Sequence, residues 1–278
     1  MKRKASFPFA FHSTFRNFAK NNTYLMKSNR TCIFVTLLGV MMMTSPLQGL
    51  AQDQKTSNEE KTFLSLEEMP DAGIYLPAPP REHSSLFYAD SCQYEWGKSV
   101  RNTPRGAQAK ADADISIAYF AKIFSEPFGI TISKEHTPYI YELLGRSIRT
   151  IRLGVTKAKK KYMRLRPYVY FKEPTLIPED EEELRNEGSY PSGHTVRGWG
   201  AALVLSSINP ARQNEILTRG YEYGQSRVIA GFHYQSDVDA ARMAASACFA
   251  RLQNDRLYKK QMKRAQREYK KIMRNKRK

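Results

Sequence analysis

Cysteine is scarce in this chain, with three in 278 residues, at positions 32, 92 and 248. No C-x-x-C or H-x-x-x-H spacing occurs, which argues against a metal site, so neither metal nor cofactor is expected. No glycine-rich nucleotide loop is present either. No apolar stretch reaches 18 residues, which excludes a multi-helix membrane protein. Period-two alternation is weak throughout, Tyr168–Phe171 being the best short strand candidate, and no internal repeat is visible. Acidic residues are missing from residues 1–51, and residues 256–278 contain only one, Glu268.

These last two gaps locate the net charge of +18. Seven basic residues lie in 1–51 and twelve in 256–278, leaving 26 basic and 26 acidic residues in the body 52–255. The body is formally neutral, so the basic pI says little about its own ligand. At the N-terminal end, Lys27 and Arg30 precede the apolar run 32–43, followed by Pro46 and Gly49-Leu50-Ala51. That order of basic, apolar and small-residue regions reads as a signal peptide cleaved near Ala51, with Met26 as the true start. An uncleaved anchor is the alternative. Either way the body is exported, and a periplasmic location is expected. Cys92 and Cys248 then remain in an oxidising compartment, as a disulfide or as two separate thiols.

At the other end, Tyr258, Met262, Ala265, Tyr269 and Ile272 recur at helical spacing among lysines and arginines. Such a basic amphipathic helix offers a peripheral contact to an anionic membrane. The plainer reading, that its apolar stripe packs on the protein itself or a sister subunit, is favoured. No specific nucleic-acid partner is expected.

Residues 52–72 read as a flexible leader, and Leu76-Pro-Ala-Pro-Pro80 as an extended segment. Helical patterns dominate from there, near 84–99, 107–125, 136–163, 194–207, 211–230 and 234–252. Proline and glycine breakers separate them. The polar stretch 172–189 reads as a surface loop. The expectation is an all-α fold: one domain over 73–255, with 256–278 as a basic C-terminal helix. Trp96 and Trp199 lie in helical patterns and read as core; His83 and His136 read as surface residues.

Three segments carry chemistry. They are Lys159-Lys-Lys-Tyr-Met-Arg-Leu-Arg166-Pro167, then Gly188-Ser-Tyr-Pro191-Ser192-Gly193-His194-Thr195, then Gln225-Ser226-Arg227 with His233 and Asp237 beyond it. Ser192-Gly193-His194 opens a helix, whose free N–H groups and dipole suit a phosphate. Gly193 allows close backbone approach. Arg166 and Arg227 offer forks that match phosphate oxygens, and Lys159 adds a point charge. His233 and Asp237 stand four apart, on one helical face. A carboxylate there can hold the imidazole Nδ1–H, leaving Nε2 free to attack phosphorus. His194 can donate a proton to the leaving oxygen. A neutral nucleophile and a protonated acid are both most available at mildly acidic pH.

In this order the segments match the signature K-x(6)-R-P, P-S-G-H, S-R-x(5)-H-x(3)-D of the phosphatidate-phosphatase type 2 and haloperoxidase superfamily. The chain resembles most the bacterial class A non-specific acid phosphatases. Tyr75-Leu-Pro-Ala-Pro-Pro80, Tyr94-Glu95, Arg101-Asn-Thr-Pro-Arg-Gly106, Ala111-Asp-Ala-Asp114, Asn209-Pro210, Arg212–Leu217 and Ser236–Arg242 are also similar to that family, so the resemblance spans about 73–255. It implies the helical bundle of the acid phosphatase and vanadium haloperoxidase type, and a metal-independent phosphomonoesterase. It further implies a phosphohistidine on His233 oriented by Asp237, with His194 as leaving-group acid. Lys159, Arg166, Ser192, Gly193, His194 and Arg227 would bind the phosphoryl group. Small phosphomonoesters (nucleotides, sugar phosphates, aryl phosphates) are the implied substrates, with phosphotransfer as a side activity, and a homo-oligomer the implied assembly. One departure stands out. Where the family carries acidic residues before the first segment, this chain reads Arg146-Ser-Ile-Arg149-Thr-Ile-Arg152. A segment bordering the mouth of the site would change substrate preference. The competing readings are a lipid phosphate phosphatase at a membrane surface and a basic binding protein with a degenerate site.

Overall fold

The structure, a computed structural model, describes residues 62–276. The signal-like segment, Met26, Cys32 and residues 52–61 of the leader lie outside the described residues. The helices are α1 (Ala72–Tyr75), α2 (Ser85–Ser99), α3 (Pro104–Ala111), α4 (Ile117–Phe128), α5 (Pro138–Leu153) and α6 (Thr156–Tyr162). They continue with α7 (Pro167–Phe171), α8 (Glu181–Leu184), α9 (Gly193–Ile208), α10 (Gln213–Ala230), α11 (Gln235–Leu252) and α12 (Arg256–Asn275). No strand occurs among the described residues. The chain is all-α, as the sequence implies.

Local chemistry sets many of the ends. Ser84, Ser116 and Asp255 accept N–H groups from the first turns of α2, α4 and α12. Proline opens α3, α5 and α7, where its missing N–H costs nothing. Gly129 and Gly231 close α4 and α10 at φ of 88° and 90°, a left-handed conformation that favours glycine.

Helix α9 is the centre, packed by α4, α5, α10 and α11. Its sequence carries small or apolar residues on nearly every face, the pattern of a helix buried all round. The approach of α10 is close. A Cβ on Gly198 would stand 2.3 Å from the Tyr223 ring, and one on Gly220 2.5 Å from Ala202 Cβ.

The structure departs from the sequence expectations at several points. The pattern over 107–125 is two helices, because Asp112 turns inward and is fully buried. The pattern over 136–163 breaks at Gly154, which a Cβ would drive into Cys248 Sγ at 2.1 Å. Tyr168–Phe171 is helical, not a strand, since Pro167 starts a turn there. Trp96 is 44% exposed and is not core, while Trp199 is half-buried and donates to Ser246. The end of the leader packs inside: Phe63, Leu64 and Met69 are buried, with Phe63 edge-on to Tyr258. Cys92 is exposed and Cys248 buried, as two separate thiols.

Helix α12 packs on α5 and α9, burying Tyr258, Met262 and Ala265. Its one acid, Glu268, accepts the N–H groups of Tyr139 and Ile140 at 3.3 and 2.9 Å, in the first turn of α5. A carboxylate there meets the positive end of the α5 dipole. The basic helix is therefore docked on its own protein by its apolar stripe.

Candidate active site

The three chemical segments converge through backbone hydrogen bonds. Ser189 N–H donates to Arg164 C=O at 2.9 Å, and Ser192 N–H to Asp237 C=O at 3.1 Å. Lys159 Nζ donates to Gly188 C=O at 2.6 Å, and Arg166 to the carbonyls of Leu184, Glu187 and Phe232. The stretch 172–189 thus forms one wall of the site rather than a detached surface loop.

A cavity of about 410 Å³ lies between these segments. Lys159, Arg166, Gly193, His194 and His233 line it. Arg227, Asp237 and Ser192 stand behind that lining, each fully buried. Ser192 caps α9: its Oγ accepts from Thr195 N–H and Thr195 Oγ1–H, which leaves its own O–H to donate. The N–H groups of Gly193 and His194, in the first turn of α9, have no acceptor among the described residues.

The two histidines are oriented differently. Arg166 Nη1 lies 3.3 Å from His233 Nε2. Guanidinium can only donate, so Nε2 accepts and the ring proton sits on Nδ1. Nδ1 in turn faces Asp237 Oδ2 at 3.5 Å, longer than a hydrogen bond. The nearer partners of Asp237 are Arg164 Nη1 at 2.6 Å and Tyr234 N–H at 2.9 Å. His194 Nε2 lies 3.1 Å from Ala113 C=O, an acceptor, so Nδ1 is the nitrogen left to exchange a proton.

Burial and charge set the protonation states. Burial, then Arg166, Lys159 and Arg227, hold His233 well below its ordinary pKa. Burial, then Arg227, does the same for His194. Burial, then Arg166, lowers Lys159 to about 7, and burial lowers Arg227 to about 10. None of Lys159, Arg166 or Arg227 forms an ion pair with a carboxylate among the described residues. No guanidinium nitrogen of Arg227 has a hydrogen-bond partner there.

Comparison with known proteins gives the family. Residues 143–260 match the PAP2 superfamily. The chain is 45% identical over 218 residues to a non-specific acid phosphatase of Providencia stuartii, covering 78% of this chain and 88% of that protein. It is 44% identical over 207 residues to a non-specific acid phosphatase of Salmonella typhi, covering 74% and 83%. An acid phosphatase of Zymomonas mobilis is 30% identical over 247 residues, covering 89% and 92%. The chain belongs to the PAP2 superfamily, among its non-specific acid phosphatases.

In this PAP2 acid phosphatase the sequence reading missed residues that support the site from outside the three segments. Arg164 is buried and bridges Asp90 on α2, at 2.8 Å, to Asp237. The carboxylates of Asp237 and Asp90 together outweigh the opposing effect of its burial and raise its pKa. Asp112 holds Arg219 in an ion pair and accepts Ser226 Oγ–H at 2.6 Å and Tyr119 O–H at 2.9 Å. That network fixes the 112–114 turn, whose Ala113 carbonyl receives His194. The signal for Arg164 was its place between Lys159 and Arg166; Asp90 had none. Arg197 and Arg152 also line the cavity. Of the three arginines 146, 149 and 152, only Arg152 borders it; Arg146 instead holds Thr62 C=O and covers the Phe63 ring.

Proposed function

We propose that this acid phosphatase hydrolyses small phosphomonoesters without a metal, through a phosphohistidine on His233, after export to the periplasm. The observation that carries the reading is charge. Three cations, the buried Arg166 and Arg227 and the half-buried Lys159, have no carboxylate partner among the described residues and surround two neutral histidines. Buried unpaired cations are costly. A phosphoryl dianion supplies the missing charge, and its developing transition-state charge is stabilised most.

In the first step His233 Nε2 attacks phosphorus. The N–P bond forms, the bond to the leaving oxygen breaks, and that oxygen takes a proton from His194. Binding the dianion offsets the cations that depress His194, so the acid is protonated when needed. In the second step water attacks phosphorus, His194 takes its proton, and the N–P bond breaks to release phosphate. Ser192 O–H and the Gly193 and His194 N–H groups donate to the phosphoryl oxygens. Asp237 steadies the Nδ1–H side of His233. Arg164 holds Asp237 in turn.

Lys159 gives the reaction an acidic preference. With its pKa lowered to about 7, the free enzyme loses this cation as pH rises past neutrality. The expected kcat/KM therefore falls about tenfold per pH unit above 7. In a Lys159→Arg variant that alkaline limb moves beyond pH 9, because the guanidinium stays charged. A limb still at 7 in the variant would assign it to another group.

The test of the whole reading is p-nitrophenyl phosphate turnover at mildly acidic pH with EDTA, followed by rapid quench into alkali. Turnover that survives chelation, with an acid-labile and alkali-stable phosphoenzyme, is the expected result. Loss of turnover on chelation, or no trapped phosphoenzyme under burst conditions, would overturn it. The apolar stripe of α12 is buried on the core, which speaks against the membrane-surface alternative.

A further inference from the structure

We propose that Arg152 and Arg197 form a second anion subsite beside the phosphoryl cradle, which receives the distal phosphate of doubly phosphorylated esters. The inference rests on the phosphatase reading and extends it to substrate class. Both arginines line the same cavity as Gly193, His194 and His233. Arg197 lies one helical turn beyond Gly193. Its Nη1 donates to Gly193 C=O at 3.1 Å and stands 3.5 Å from where a Gly193 Cβ would be, as does Lys159 Cε. The guanidinium therefore flanks the cradle next to His194, where the leaving group departs.

Neither arginine has a carboxylate partner among the described residues. The Arg152 side chain makes no hydrogen bond or ion pair there, and that of Arg197 uses only Nη1. The acids on the cavity wall, Glu183 and Glu187, form no ion pair with either. The two guanidiniums also repel: burial, then Arg152, lowers Arg197 to about 10. Apart from His194, the rest of α9 is built from small and apolar residues, and Arg197 is its one permanently charged side chain. At about 410 Å³ the cavity is the size of a small-molecule pocket and has room beyond one phosphate. Two planar forks lining one cavity match a second phosphate better than a hydroxyl or an apolar group.

The test is calorimetric binding to the full chain of α,ω-alkylene diphosphonates with one to six methylenes, against alkylphosphonates of equal length. The expected result is a diphosphonate preference of at least tenfold at one or more lengths. It disappears in the Arg152→Gln/Arg197→Gln double variant, and Arg152→Gln alone leaves methylphosphonate affinity within threefold. A control variant, Lys270→Gln/Arg274→Gln on the exposed face of α12, loses the same charge and keeps the preference. Methylphosphonate binding with no diphosphonate preference, or a preference lost equally in the control, overturns the subsite alone. No methylphosphonate binding overturns the phosphatase reading with it. In turnover, the kcat/KM ratio of fructose 1,6-bisphosphate to fructose 6-phosphate falls at least tenfold in the double variant. The fall comes through KM rather than kcat.

Discussion

A His233→Ala variant is expected to lose on the order of 10⁴- to 10⁶-fold in kcat toward p-nitrophenyl phosphate, the scale seen when a covalent nucleophile is removed. The size follows from what remains. Lys159, Arg166 and Arg227 still bind the phosphoryl group, so KM changes little. The covalent step has no group to replace Nε2, because the other histidine of the cavity, His194, has its Nε2–H held by Ala113 C=O and its Nδ1 committed to the leaving oxygen. The phosphoenzyme disappears with the turnover. A His233→Asn variant, which keeps a polar group near Arg166 Nη1, shows the same loss with a thermal midpoint close to that of the parent. A kcat within tenfold of the parent in both variants would place the nucleophile elsewhere.

The second large effect is a gain and a loss in one substitution. Arg227 is fully buried, all three of its guanidinium nitrogens lack partners, and burial lowers its pKa to about 10. A basic group whose folded pKa lies below its unfolded value opposes folding. The cost is present in full below pH 10 and is relieved only as pH rises through 10 toward the unfolded value. Arg227→Met removes that cost while filling much of the same space beside Phe232, whose ring lies 4.4 Å from the guanidinium carbon. The phosphate-free variant should be more stable by on the order of 2 kcal/mol. At about 2–4 °C per kcal/mol for a domain of this size, its thermal midpoint rises by several degrees. Activity moves the other way, with kcat/KM falling at least ~10²-fold as one transition-state donor is lost. Phosphate should also stop protecting the protein. The parent gains about 2.7 kcal/mol at a phosphate concentration 100 times its Kd, and the variant gains little. Thermal unfolding of both proteins with and without phosphate checks this. A less stable variant that phosphate still protects would make Arg227 a structural residue.

The second of these predictions could not have been made before the fold was known. In the sequence Arg227 is one cation among 45 basic residues, and nothing local marks it as unpartnered. The same holds for Arg197 and Arg152, which belong to different helices and meet only across the cavity. The misread helices have a similar cause. The apolar pattern runs on through Asp112 and Gly154, yet the chain breaks at both. Asp112 is pulled inward by Arg219 and Ser226, more than 100 residues away, and Gly154 must admit Cys248.

By itself the sequence determined the helical class, the three chemical segments and most helix positions. It also determined the residues His194, His233, Lys159, Arg166, Arg227 and Asp237 as the candidate machinery. Those are local matters: a proline at a helix start, a glycine after a helix end, a histidine and an aspartate one turn apart. Tertiary structure alone decided which cations lack a counter-charge, which carbonyl orients His194 and which arginine holds Asp237. It also decided that the basic C-terminal helix is anchored through Glu268 to α5. Each of those depends on a meeting of residues roughly 70 to 130 positions apart or on burial. Spacing along the chain encodes neither, because both are set by how whole helices pack around α9.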